Sequence, residues 1–230
     1  MKKIGILGGM SAVSTQIYYK NICSLVTKKL GDLNSPELII RSLNFEPLAK
    51  HMHSNQWDSI AEILNFEAKK LEQSGADFII LATNTMHKLA DKMMSNISIP
   101  LLHIADATAD ELIKNNRNTP AFIATKFTMD ENFYTDRLKN KNLNPMVPKK
   151  EDREEINRII FDELCINKVN SGSQKKYIDC VNEMVAQGAD SLILGCTEVC
   201  LLLNKDNVSV PVFDTTEIHC NAAVEFSLKV

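Results

Sequence analysis

Short apolar runs alternate along the chain with longer stretches in which apolar residues recur every three or four positions. That alternation is the pattern of an α/β protein built on parallel strands. The apolar runs predict strands at 3–7, 37–43, 77–81, 101–103, 120–124, 144–147, 191–194 and 210–213. Between them, Trp57, Ile60, Ala61, Leu64, Ala68 and Leu71 keep to one face of a helix. Thr128 and Glu131 have the spacing of a capping box, which predicts a helix start there. The polar, lysine-rich stretch 140–152 reads as a loop around one short strand, and 168–176 as a second polar connection.

Two of the apolar runs echo each other. GADFIILATNTMH begins at Gly75 and GADSLILGCTEVC at Gly188, 113 residues later, so Thr83 corresponds to Cys196 and Asn84 to Thr197. Further on, ISIPLLH at 97–103 echoes VSVPVFD at 208–214 with an offset of 111, and IGILGG from Ile4 matches AFIATK from Ala121 more loosely. Several matches in one order suggest two similar α/β halves. In an open parallel sheet ligands bind beyond the carboxyl ends of the strands. Both polar clusters sit there, as does Gly8-Gly9-Met10-Ser11 after the first strand. If the halves face one another, Thr83 and Cys196 look across a cleft from opposite sides. The plainer alternative is a decayed duplication that keeps small residues only for tight strand-to-helix turns.

Composition narrows the setting. The 230 residues, 25.8 kDa, carry a formal net charge of −3 and a pI of about 6.0. The basic residues are scattered, which leaves no electrostatic footprint for nucleic acid. No apolar run approaches the roughly 18–20 residues of a membrane helix, and MKKIGILGGMSAV reads as a first strand rather than a signal peptide. The six cysteines show no regular framework, which fits reduced thiols and a cytoplasmic protein. His51-x-His53 is too isolated to argue for zinc, so no metal is expected.

Among candidate chemical groups, Gly8-Gly9-Met10-Ser11 either donates backbone N–H groups to an anion or forms a structural turn; it is neither a dinucleotide fingerprint nor a Walker loop. Asn84-Thr85 and Thr197-Glu198 either cap helices or turn their donors toward a carboxylate. Cys196 lies at a predicted strand end beside a helix N-terminus, an environment that lowers a thiol pKa. Cys23, Cys165 and Cys180 sit in helical patterns and read as packing residues, as does Cys200. His87, His103 and His219 lie near strand ends or early helix turns, where each either meets a ligand or supports a loop.

IGILGGMS, LATNTMHK, LLHIADAT, FDELC and LILGCTEV, in this order and over nearly the whole chain, closely resemble the aspartate/glutamate racemase family. The resemblance implies two pseudo-symmetric three-layer α/β domains with mostly parallel sheets, 1–98 with 209–230 and 99–208, and an active site in the cleft between them. It implies cofactor-independent racemisation of an acidic amino acid by a homodimer. Most members carry a cysteine at both equivalent strand ends, one thiolate removing the α-proton while the other thiol returns a proton to the opposite face. An α-proton beside a carboxylate is so weakly acidic that two acid–base groups and donors for the developing charge are needed. This chain has Thr83 at one of those positions, and so resembles the subset with a Thr/Cys pair that is associated with L-aspartate and L-glutamate. A hydroxyl is a poor resting base, so catalysis is expected from the Cys196 face, with Thr83 donating or relaying a proton. By the same resemblance Met10, Asn84, Thr85, Thr125, Thr197 and Glu198 line the amino acid. Asn84, Thr85 and Thr197 then hold the α-carboxylate and Glu198 the ammonium group. Lys168 is the candidate cation for the distal carboxylate, with Lys50 near the other basic loop and Met52 a further loop contact. The rival readings are a one-cysteine isomerase or decarboxylase of a small dicarboxylate and a catalytically quiet amino-acid-binding protein.

Overall fold

The computed structural model describes residues 1–166 and 168–229, and the chain divides into two compact units, Met1–Ile104 with His219–Val230, and Ala105–Ile218. In the first unit β1 (Ile4–Gly8) leads into α1 (Ala12–Leu30). Then follow β2 (Leu38–Ser42), α2 (Phe45–His53), α3 (Trp57–Gln73), β3 (Phe78–Leu81), a 3-10 turn at Thr85–Leu89 and α4 (Ala90–Met93). The sheet is parallel in the order β2-β1-β3, and Leu101 adds a single parallel bridge to Ile79. Alternation along β1 sorts its two faces. Ile4 and Ile6 pack with Tyr18, Ile22 and Val26 of α1 and with Cys220, Ala223 and Val224. The opposite face is covered by α3, whose Leu71 comes close to Gly5. The predicted apolar stripe of α3 is the buried one: Ile60, Ala61, Leu64, Ala68 and Leu71 are all inside.

The second unit holds α5 (Ile104–Lys114, beginning at the last residue of the first unit), β4 (Pro120–Ile123), α6 (Lys126–Asp130), α7 (Asn132–Asn140) and α8 (Lys150–Asp162). A 3-10 turn at Leu164–Ile166, α9 (Ser171–Ala186), β5 (Ser191–Leu194), a 3-10 turn at Thr197–Leu201 and β6 (Val212–Asp214) follow. Last comes α10 (Thr215–Leu228), whose residues from His219 onward belong to the first unit. The second sheet is also parallel, in the order β4-β5-β6, with Met146 bridging Ala121 beyond β4. Phe122 stacks on Tyr134 of α7, whose hydroxyl donates to Thr108 of α5 at 3.0 Å.

The repeated Gly-Ala-Asp has a structural meaning. Gly75 and Gly188 have φ of 88° and 104°, in the left-handed region that ends a helix at little cost for glycine. Their N–H groups, and those of Ala76 and Ala189, close the last turns of α3 and α9. The aspartates then align strands. Asp77 accepts the Lys3 N–H at 2.6 Å, and Asp190 accepts those of Asn118 and Thr119 at 2.7 and 3.0 Å. Burial works against the Asp190 charge, but the Asn118 N–H, the Ser191 hydroxyl and the Thr119 N–H outweigh it and hold its pKa below the usual value. The registers match when Ile4 is set against Pro120, one residue before the Ala121 of the sequence echo: Ile4 pairs with Phe78, and Pro120 with Ser191, 113 residues after Phe78.

The structure departs from the sequence expectations at several points. The expected division at 209 would assign 209–230 to the first unit, yet β6 pairs with β5 and the chain returns only at His219. The ISIP and VSVP segments explain this, since each closes its own sheet: Pro100 and Pro211 carbonyls accept the Ile79 and Leu192 N–H groups at 2.9 and 2.8 Å. The strands expected at 101–103 and 144–147 shrink to single bridges, because Pro100 and Pro148 have no N–H to extend a ladder. Thr128 and Glu131 form no capping box. Thr128 lies inside α6 and bonds Thr125 at 3.0 Å, and α7 starts at Asn132. The polar connection at 168–176 gives way at Ser171 to α9, capped by the Asn170 side chain.

Candidate active site

In the second unit Thr125 and Cys196 follow the ends of two adjacent parallel strands, β4 and β5. The Gly195 N–H still donates to the Ile123 carbonyl at 2.7 Å, so the pairing runs one residue past β5. A Cβ on Gly195 would lie 2.5 Å from Phe122 Cε2 and 2.9 Å from Ala124 Cβ, so only glycine lets the two chains approach this closely. Cys196 is extended, with φ −150° and ψ 130°, and the next five residues form the 3-10 turn Thr197–Leu201.

Glu198 folds back over this strand end. Its Oε2 accepts the Cys196 thiol at 3.1 Å and the Thr197 hydroxyl at 2.6 Å. Burial pushes the Cys196 thiol well above its usual pKa, and the Glu198 carboxylate pushes it further the same way. The expectation of a thiol activated by a helix N-terminus is therefore overturned. One short 3-10 turn offers little dipole, and the Glu198 N–H, which does favour thiolate, is outweighed by its own carboxylate. Cys196 rests as a thiol with its proton aimed at a base.

The first unit builds the matching turn from Thr83, Asn84 and Thr85. The Ala82 N–H donates to the Leu7 carbonyl at 2.9 Å, the counterpart of the Gly195 bond, and the Thr83 N–H closes on Leu81 at 2.8 Å. Asn84, Thr85, Met10 and Met52 are buried, and Thr83 is half-buried. After β1, Gly9 donates to Thr15 Oγ1 at 2.7 Å and Ser14 to Ser11 Oγ at 3.2 Å. The Gly9 donor is thus spent inside the turn, and Ser11 caps the start of α1.

Lys168 is exposed, and its N–H donates to the Glu163 carbonyl at 2.9 Å. Glu163, from FDELC, is buried and accepts from Ser173 at 2.6 Å and Arg158 at 2.9 Å, so it anchors the segment from which Lys168 projects. Lys50 is solvated and pairs with Glu46 one helical turn away. Cys165, expected to be a packing residue, is exposed on a turn that packs against Thr197–Leu201. The sequence reading did not foresee the grip of Glu198 on Cys196, or that His87 Nδ1 meets the Thr83 carbonyl at 2.7 Å. The signals were present, as spacings of two and four residues. Among the described residues, no cluster of His, Cys, Asp and Glu could hold a metal ion, and no helix is long and apolar enough to cross a membrane.

Known proteins share this fold. The family model of Asp/Glu/Hydantoin racemase matches residues 7–223. The broad specificity amino-acid racemase RacX of Bacillus subtilis is 26% identical over 217 residues, covering 93% of this chain and 92% of that protein. A candidate Asp/Glu racemase from Yersinia pestis superposes with a TM-score of 0.95 at 40% identity over the whole of both chains. An aspartate racemase homologue from Pyrococcus horikoshii OT3 gives 0.87 at 36%, again over both whole chains. With GGMS and TNTMH at the ends of the neighbouring strands β1 and β3, GCTE at the end of β5, and the family model spanning 7–223, the chain belongs to the Asp/Glu/Hydantoin racemase family and is an isomerase.

Proposed function

We propose that the protein racemises L-aspartate or L-glutamate without PLP, with Cys196 removing the α-proton and Thr83 serving the opposite face of the carbon. The observation that carries this reading is the Cys196 thiol donating to Glu198 at 3.1 Å, on a strand end inside the matched family span. The resting thiol suits a substrate-triggered reaction. An arriving α-ammonium group meets Glu198, offsets the negative charge that holds the proton on sulfur, and lowers the cost of forming thiolate. The thiol proton passes by way of Glu198 to water, where it neutralises the hydroxide left when Thr83 is reprotonated, so the carboxylate stays ionised against the ammonium group. The thiolate then takes the α-proton, and its electron pair moves into an enolate-like carbanion. Thr83 gives its hydroxyl proton to the far face as it takes one from water. Asn84, Thr85 and Thr197 hold the α-carboxylate and stabilise the developing charge. Thr125, Met10 and Met52 line the amino acid, and Lys168 meets the distal carboxylate. The protein works as a homodimer in the cytoplasm.

The raised thiol pKa favours one rival, a one-cysteine isomerase or decarboxylase, since such an enzyme needs a protonated sulfur at rest. The deciding experiment supplies L-aspartate and L-glutamate with EDTA and hydroxylamine present and separates the enantiomers. The proposal expects the D-form of at least one substrate. No D-product from either, or activity restored only by added PLP, would count against it.

A further inference from the structure

Thr83 can act only if its hydroxyl points correctly, and its backbone is held from both sides. Its N–H closes on the Leu81 carbonyl at 2.8 Å, and its own carbonyl meets His87 Nδ1 at 2.7 Å. The other ring nitrogen, Nε2, receives the Ile104 N–H at 3.3 Å. A carbonyl only accepts and a backbone N–H only donates, so Nδ1 carries the proton and Nε2 is bare. His87 is buried, and its ring packs edge-on against His103 at 4.4 Å between centroids. A second ring proton would face the Ile104 N–H, so this site keeps the imidazole neutral and in one tautomer.

The second unit shows what is particular to the first. By the offset of the echo, His87 corresponds to Cys200 and His103 to Asp214. Those two residues also touch, Cys200 Sγ donating to Asp214 at 3.4 Å. The carbonyl of Cys196, however, is taken by the backbone N–H of Val199 at 3.2 Å. The Thr83 carbonyl depends instead on a side chain. We propose that His87 is a positioning residue for Thr83, its Nδ1–H fixing the turn so that the hydroxyl and the Asn84-Thr85 donors keep their aim. This inference rests on the reading of Thr83 as the second proton-transfer group.

The test compares wild type with Thr83→Ala, His87→Asn and His87→Gln in heavy water. Two quantities are followed: deuterium entering the α-position of recovered L-substrate, and D-enantiomer formed. Asparagine places an amide near Nδ1 and can still donate to the Thr83 carbonyl; glutamine reaches the Nε2 position and cannot. His87→Gln is expected to lower D-product per exchange event roughly tenfold, as a small misplacement of a reacting group does. His87→Asn should stay near wild type in that ratio. If Thr83→Ala leaves the ratio unchanged, Thr83 is idle and both readings fall. If Thr83→Ala lowers the ratio while His87→Gln does not, or if both His87 variants lose the two activities in parallel, only the positioning role fails. Ring nitrogen NMR of 15N-labelled wild type tests the geometry even if the variants do not fold. A neutral, Nδ1-protonated His87 at pH 7 is expected, and an Nε2-protonated or cationic ring would overturn the proposal.

Discussion

The thiol of Cys196 and the carboxylate of Glu198, two residues apart in the chain, stand 3.1 Å apart as donor and acceptor. The negative charge that can take the thiol proton also keeps that proton on sulfur until something offsets it. Glu198→Gln therefore has a definite sign. Removing the charge lowers the Cys196 pKa toward its ordinary range and raises the thiolate fraction at pH 8. Labelling of Cys196 by iodoacetamide, followed by peptide mass mapping to separate it from the other thiols, should speed up by roughly tenfold for each unit the pKa falls. An unchanged or slower rate would show that the carboxylate does not hold the thiol.

Gly195 lets the strand end carrying Cys196 lie against β4. Gly195→Ala forces a methyl group into the Phe122 ring, which is itself fixed by stacking on Tyr134. Overpacking of this kind costs about 1–3 kcal/mol. Urea unfolding should show a loss of that size, with activity falling further than stability. A variant of wild-type stability and activity would mean that the strands separate freely there.

His219 ties Tyr18, whose hydroxyl meets Nδ1 at 2.8 Å, to the Leu102 carbonyl, 2.9 Å from Nε2. Burial pulls its pKa from 6.5 down to about 4, against a smaller opposing effect of the Leu102 carbonyl. Between those values the unfolded chain binds the proton and the folded chain does not, so stability falls as the pH drops from 6.5 toward 4. The full shift corresponds to about 3 kcal/mol. His219→Gln keeps a donor for Leu102 without titrating, so its unfolding free energy should lose about 2–3 kcal/mol less than wild type between pH 7 and 4.5. Parallel pH profiles would contradict this.

Much of the fold could be read from the chain, for reasons visible at particular residues. Apolar runs such as 78–81 announce buried strands because no polar side chain interrupts them. The paired Gly-Ala-Asp segments announce a repeat because each ends a helix and aligns a strand. The end of each sheet was read as a strand, and after Pro211 it is one, whereas after Pro100 only a single bridge at Leu101 forms. Thr128 misled because it lies within α6, where its hydroxyl bonds Thr125, while the break before α7 falls at Glu131. At the candidate site, Cys196 stood out by its place at a strand end, but its protonation state did not. That depends on the direction of the Glu198 side chain, which a spacing of two residues leaves open.

The central claim is that Cys196 moves the α-proton, and the most direct measurement is the proton NMR signal of the α-hydrogen of L-aspartate and L-glutamate in heavy water. Wild type should erase that signal for at least one of them without added cofactor. A folded Cys196→Ser variant should leave it at the rate seen without protein. Loss of the signal at the wild-type rate in that variant would contradict the account.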